Sequence, residues 1–191
     1  MRILTILGSP RSDGNTAHVL AWAEQALKSE THLVERVNLS DLRIDACREC
    51  LGCRKDYRAL CLNIEDDANA LVRKIIKCDA MIIASPVFCW GFPSHLKAMI
   101  DRLYCTVGDY ETNPNYSTLL MNKRMGLLLT CGGPEEGNAE LVIRGFYAMT
   151  RFMKAHPVGH TLFPFMRDVS SLTALDRQRT VDFALQMAAE L

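Results

Sequence analysis

Residues 1–16, Met1-Arg2-Ile3-Leu4-Thr5-Ile6-Leu7-Gly8-Ser9-Pro10-Arg11-Ser12-Asp13-Gly14-Asn15-Thr16, decide the reading of this chain. Arg2 to Leu7 is a short run apolar enough to be a strand buried on both faces. Thr16, Leu20, Ala23 and Leu27 then recur at helical spacing. Between strand and helix lies a loop rich in donors: the hydroxyls of Ser9, Ser12 and Thr16, the amide of Asn15 and the guanidinium of Arg11. Unpaired N–H groups of the helix's first turn, and a dipole of the right sign, add to these. Gly14 lets the backbone turn closely around an anion. The loop therefore reads as a phosphate cradle. The competing reading is an ordinary capped turn, because Ser, Asp, Gly and Asn are common in turns. No Gly-Lys-Ser/Thr follows, which excludes a triphosphate P-loop. No Gly-x-Gly-x-x-Gly is present, so the dinucleotide fingerprint is missing.

Outward from this unit, apolar runs alternate with amphipathic stretches. Strands are expected over 33–39, 80–84, 125–130 and within 158–163. Helices are marked by Ala68, Leu71, Val72, Ile75 and Ile76, with Asp66 as cap, and by Leu96, Met99, Ile100 and Leu103 within 94–104. Val142, Phe146, Met149 and Met153 mark the next, and Val181, Ala184, Leu185 and Ala188 the last. Five strands alternating with five helices predict an α/β fold, a doubly wound five-stranded parallel sheet of order 2-1-3-4-5 with helices on both faces. A single domain over 1–191 is expected, with a cysteine-rich insertion at about 40–63. The long connection from Cys105 to Lys123 reads as a lid or an interface.

About half the residues are apolar (49%), 23% are charged and the formal net charge is zero, the profile of a soluble globular protein. No broad basic face for nucleic acid or anionic membrane is expected. The apolar run at the start stops at Gly8 and is too short for an export signal or a membrane span, so a reducing cytoplasm is the expected location. The eight cysteines are accordingly not read first as disulfides.

Three segments besides this composition carry a resemblance. Gly8-Ser9-Pro10-Arg11…Gly14-Asn15-Thr16 resembles the first flavin loop of the NAD(P)H-dependent FMN reductase and flavodoxin-like family. Ser85-Pro86-Val87-Phe88-Cys89-Trp90-Gly91 resembles its second, and Leu96-Lys97-Ala98-Met99-Ile100-Asp101-Arg102 the helix that follows. Thr130-Cys131-Gly132-Gly133 resembles the third. The resemblance covers nearly the whole chain. It implies FMN along the strand ends, with Ser9, Arg11, Asn15 and Thr16 on the phosphate and Ser12 and Gly14 completing the loop. Pro86, Val87, Phe88, Trp90 and Gly91 would border the isoalloxazine ring, and Thr130, Gly132 and Gly133 its other edge. Cys89 and Cys131 would lie close by, with packing as their preferred role. Relatives often have Tyr where this chain has Phe88, which puts any hydroxyl contact there in doubt. A buried hydrophobic corner is the bland alternative for Phe88-Cys89-Trp90. No catalytic acid, base or nucleophile is expected, because the cofactor carries the chemistry. The five histidines form no metal-ligand spacing.

Cys47, Cys50, Cys53 and Cys61 follow C-x2-C-x2-C-x7-C. The first spacings are those of [4Fe–4S] ligation, and the pattern resembles the iron–sulfur flavoprotein branch of the same superfamily. Zinc, a redox dithiol and free thiols remain alternatives. Arg48, Arg54, Lys55 and Arg58 would help stabilise thiolates or an anionic cluster, or form a solvated face. Cys78 and Cys105 read as core or helix-end residues.

The resemblance implies an NAD(P)H-dependent FMN oxidoreductase that reduces a small acceptor such as a flavin or quinone, assembled as a homodimer or homotetramer. The alternatives are an iron–sulfur flavoprotein exchanging electrons with a ferredoxin-like protein, and a non-catalytic binding or regulatory module.

Overall fold

The first strand is as expected: β1 runs Arg2–Leu7, and from Ile3 onward every residue is buried. A computed structural model describes residues 1–189; the last two positions of the domain expected over 1–191 lie outside the described residues. The other strands are β2 (Leu33–Asn38), β3 (Ala80–Pro86), β4 (Arg124–Thr130) and β5 (His156–Phe163). All pairings are parallel and the order is β2-β1-β3-β4-β5, as expected. The chain leaves β1 toward β2 and then returns to the other side of β1 for β3, so the order reverses between β1 and β3. Ligand crevices of doubly wound sheets open at that point, beyond the carboxyl ends of the strands.

The alternation of side chains along the strands divides the core. Leu4, Ile6, Met81, Ile83, Leu127 and Leu129 face one side, packed by α2 (Ala68–Lys77), α3 (Ser94–Arg102) and α4 (Glu140–Phe152). Ile3, Leu7, Ala80, Ile82, Ala84 and Leu128 face the other, under α1 (Asn15–Ser29) and α5 (Ala174–Ala188). Burial of aliphatic side chains on both faces makes the sheet the rigid platform of the molecule. Gly126 permits a close helix approach: a Cβ there would stand 2.5 Å from both Met187 and Phe183 of α5.

Two details depart from the sequence reading. The buried face of α5 is Asp176, Thr180, Phe183, Ala184 and Met187, and Leu185 is 41% exposed. The polar members of that face hid it from an apolar count. Thr180 is accommodated because its hydroxyl donates to the Asp176 carbonyl at 2.7 Å. The cap of α2 is also shifted. Asp67 holds the N-cap position, while the Asp66 carboxylate accepts from the Ala68 N–H at 3.0 Å. The segment 40–63 has no strand or α-helix and contains only short 3-10 turns.

Candidate functional site

The carboxyl ends of β1, β3 and β4 meet at one cleft. Its walls are Ser9, Arg11, Gly14, Asn15 and Thr16 from the first loop and Pro86, Val87 and Phe88 from the second. Thr130, Cys131 and Gly132 come from the third, joined by Met166. The register explains the meeting: Leu7 pairs with Ala84 and Pro86 with Thr130, so the strands end level. Hydrogen bonds then lock the loops together. Gly8 N–H donates to the Ala84 carbonyl at 2.7 Å and Val87 N–H to the Thr130 carbonyl at 2.9 Å. The buried hydroxyls of Thr16 and Thr130 are 2.7 Å apart and bridge the first and third loops.

The first loop is not a capped turn. Gly14 is the N-cap of α1 and no side chain caps the helix. By contrast, Thr173 and Asp176 close a capping box at the start of α5. The first-turn N–H groups of α1 thus lack side-chain partners, and Gly14, Asn15 and Thr16 at this helix start line the cleft. Beside them the buried Asn15 Oδ1 also has no partner. Ser9 accepts from the Arg11 N–H at 3.1 Å, which folds the loop back on itself.

The remaining expected residues take other places. Ser12 is exposed on the loop, away from the cleft wall. Phe88 and Gly91 exchange two backbone hydrogen bonds and form a tight hairpin whose tip is Cys89-Trp90, both left-handed (φ 46° and 60°). Phe88 and Trp90 are 44% and 60% exposed. The buried-corner alternative for Phe88-Cys89-Trp90 is therefore wrong, and so is a packing role for Cys89, which is exposed. The turn lifts all three off the core. Trp90 Nε1 donates to the Gly137 carbonyl at 2.9 Å and ties the hairpin to the segment after β4. Cys131 is buried as expected, and Gly133 sits against Asn138. A Cβ built on Gly132 would meet nothing, so that glycine borders open space. Met166 and the exposed Phe165 beside it escaped sequence reasoning, because they follow β5 in a stretch without a motif.

The clustered cysteines occupy a second place. Cys47, Cys50, Cys53 and Cys61 line one cavity of about 520 Å³ against the end of α3 and the face of α4. All are free thiols, and among the described residues no three His, Cys, Asp or Glu side chains are gathered so as to hold a metal ion. Cys105 lines the same cavity. It is buried, as expected of a core residue, and burial first, then Cys53 and Cys61, push its thiol up to about 12. Cys50 differs: the Gly52 backbone and then the Asn63 amide, which donates to its sulfur at 3.2 Å, hold its thiol below the ordinary value. The opposite wall is aromatic, with Tyr104, Tyr110 and Phe152. Tyr104 and Phe152 stack at 6.4 Å and Tyr110 meets both edge-on.

Polar pins hold this irregular segment. The Asp66 carboxylate is fully buried and forms a fork with Arg102 (2.6 and 3.1 Å), and it also accepts from the Asp45 N–H. Burial would raise the Asp66 carboxyl; Arg102 and the Asp45 and Ala68 N–H groups outweigh it and keep the carboxyl below its usual range. Arg54 forms a bidentate pair with Glu111 of the long connection, at 2.8 and 2.7 Å. Of the four cations near the cysteines, Arg54 is therefore engaged with a carboxylate.

Comparison with known proteins agrees with this fold. Residues 1–168 match the family model of the NADPH-dependent FMN reductases. This chain belongs to that family. An iron–sulfur flavoprotein of Archaeoglobus fulgidus is 35% identical to this family member over 168 residues, spanning 85% of the chain and 68% of the relative. An iron–sulfur flavoprotein of Methanosarcina thermophila is 28% identical over 148 residues, 77% of the chain and 71% of the relative. Among solved structures, an FMN-dependent NADH-azoreductase of Bacillus anthracis in complex with FMN superposes with a TM-score of 0.76 at 16% identity. That match covers 99% of this reductase-family chain and all of the azoreductase, and it shows a shared flavodoxin-like fold. Among the described residues no helix is long and apolar enough to cross a membrane.

Proposed function

We propose that this oxidoreductase binds FMN in the cleft at the ends of β1, β3 and β4 and passes electrons from NAD(P)H to a small acceptor such as a flavin or quinone. The observation that carries the reading is the uncapped N-terminus of α1, with the buried, partnerless Asn15 Oδ1 beside it and the hydroxyl residues Ser9, Thr16 and Thr130 lining the same cleft. That donor set fits a phosphate. Ser9, Arg11, Asn15 and Thr16 would hold it, with Gly14 leaving its approach open and the exposed Ser12 standing outside the cleft wall. The Asn15 amide can present either its N–H₂ or its oxygen without a change of shape, so it suits a phosphate or a sugar hydroxyl. Pro86, Val87 and Phe88 would flank the ring, with the exposed Cys89-Trp90-Gly91 hairpin at its rim. Thr130, Cys131, Gly132 and Gly133 would present backbone to its polar edge. FMN, when bound, supplies the redox chemistry. The chain's own contribution is to bind, orient and shield it. Thr16 and Thr130 clamp two loops, and the aromatics give a flat ring an apolar wall.

The test is direct. Protein freed of bound flavin should recover a flavin spectrum on addition of FMN and oxidise NAD(P)H in the presence of a quinone or free flavin. No FMN uptake defeats the reading.

A second reading applies to the other cavity. We infer that Cys47, Cys50, Cys53 and Cys61 hold an iron–sulfur cluster, of the [4Fe–4S] type, that exchanges single electrons with a ferredoxin-like protein. Four free thiols around one cavity, with a partnerless buried Arg102 Nε among its walls, favour it. The donors fit in chemistry, while their spread requires that the irregular segment draw in around the guest. Protein purified without oxygen should contain iron and acid-labile sulfide, and Cys50→Ala should lose both while FMN stays. Flavin without iron in the unmodified protein removes this reading and leaves the first. Assembly as a homodimer or homotetramer, with the 105–123 connection and the cysteine segment as contacts, belongs to the same proposal.

A further inference from the structure

The cysteine cavity contains a cation whose hydrogen bonding is incomplete. Arg102 closes α3 and is only 2% exposed. Nη1 donates to the Asp66 carboxylate and to the Asp45 carbonyl at 3.0 Å, and Nη2 donates to the other Asp66 oxygen. Its Nε is buried with no partner. A buried donor left without a partner is destabilising, more so when it is charged. If Arg102 served only to pin the segment, a side-on fork using Nε and one Nη would hold Asp66 as well and leave no buried orphan. The observed end-on fork spends both Nη groups on the pin and keeps Nε for something else.

The neighbours indicate what that is. Arg102 lines the cavity together with Cys53, Cys61 and Cys105. Burial works against its charge, and the Asp66 hydrogen bond, then Cys61, Asp66 and Cys105, more than compensate. Arg102, with its unpartnered Nε–H, therefore lines the cavity beside three cysteines, a place suited to an anionic, sulfur-rich guest. A second sulfur donor has been built on the exposed side, where Asn63 reaches Cys50 at 3.2 Å. Gly52 makes room for it, since a Cβ there would come within 2.5 Å of the Asn63 amide.

We propose that the Nε–H of Arg102 donates a hydrogen bond to a sulfur of the cluster held by Cys47, Cys50, Cys53 and Cys61, and that its buried charge raises the reduction potential of that cluster. The proposal rests on the iron–sulfur reading above. Adding an electron makes the cluster more negative, and a fixed neighbouring cation favours that state. Asn63, neutral and near solvent, is assigned a smaller effect of the same sign.

The test uses the full-length protein purified without oxygen. Iron and sulfide analysis of the unmodified protein comes first; their absence removes the iron–sulfur reading and this proposal with it. With iron present, an EPR-monitored redox titration compares Arg102→Gln and Arg102→Lys with the unmodified protein. Arg102→Gln should weaken reduction of the cluster about tenfold or more, which is 59 mV for one electron. Arg102→Lys should recover part of that shift. The potential of FMN in the other cleft serves as the internal reference and should not move. Iron retained with an unchanged cluster potential overturns the role of Arg102 and leaves the cluster standing. Should the variants fail to fold or to keep iron, pulsed EPR of the reduced unmodified protein carrying ¹⁵Nε-labelled arginine decides: a ¹⁵N coupling supports the contact, and none overturns it.

Discussion

The cleft at the strand ends and the cysteine cavity are built in opposite ways. The cleft sits on the ends of buried strands, and its partnerless groups come from regular structure: an uncapped helix start and level strand ends. The cavity is closed by a segment without strand or α-helix, held by side-chain pins such as Asp66–Arg102 and Arg54–Glu111. One site inherits its geometry from the sheet. The other depends on a few buried charges. The two are linked by α3, which starts just after the Phe88–Gly91 hairpin and ends at Arg102. At 1.5 Å per residue this helix spans about 12 Å.

That contrast can be broken most severely at Asp66. Replacing it by Asn leaves a buried guanidinium without its counter-charge, and losing one partner of a buried pair costs roughly 3–5 kcal/mol. Denaturant unfolding should show a loss of that order, and limited proteolysis should cut within 40–63 first. FMN affinity should change little if the cleft is the sheet's property. The same pin has a pH dependence. Because the folded-state carboxyl of Asp66 lies below its ordinary value, its stabilisation is complete above about pH 4 and disappears as pH falls through the folded value. Protease sensitivity of 40–63 should rise on acidification before the sheet's own signal is lost.

The matching break in the cleft is Arg11→Ala combined with Thr16→Ala. Hydrogen bonds to charged groups are worth about 1.5–3 kcal/mol each, so FMN affinity should fall roughly a hundredfold or more. Unfolding of the cofactor-free protein should shift far less, and affinity unchanged in fluorescence titration would mean the phosphate lies elsewhere. The smallest effect belongs to a helix start outside either site. Thr173→Ala removes the cap of α5, where Thr173 accepts from Asp176 N–H at 3.2 Å. It should cost about 1 kcal/mol of stability in denaturant unfolding and leave FMN binding intact. The comparison of α1 with α5 is thereby sharpened: one helix start is closed by a side-chain cap, the other has none and is the proposed phosphate site.

What could be read in the sequence follows the same division. Strand order, the first loop and its neighbours were legible because apolar runs and turn residues are local signals, and the sheet brings their ends together. Eleven of the residues named for the cleft line it, while Ser12, Cys89, Trp90, Gly91 and Gly133 lie around it. The buried-corner alternative for Trp90 could not be dismissed from sequence because two successive left-handed residues are invisible to a hydrophobicity pattern. Met166 joins the cleft through its backbone bond to Cys131, a tertiary contact without a motif. In the cavity, the cysteine spacing was plain, yet Arg102, Asn63 and Cys105 were not associated with it. They come from other segments, and only packing unites them. The polar buried face of α5 was missed for a simpler reason: Asp176 and Thr180 satisfy their hydrogen bonds locally and so can be buried without an apolar signature.

The central claim, that the open start of α1 is a phosphate site for FMN, is tested most directly by comparing FMN with riboflavin, which differs by that phosphate alone. Titration of the flavin-free protein, followed by quenching of flavin fluorescence, should give an affinity for FMN at least about a hundredfold above that for riboflavin, the worth of two charge-assisted hydrogen bonds. Equal affinity for the two would contradict the account.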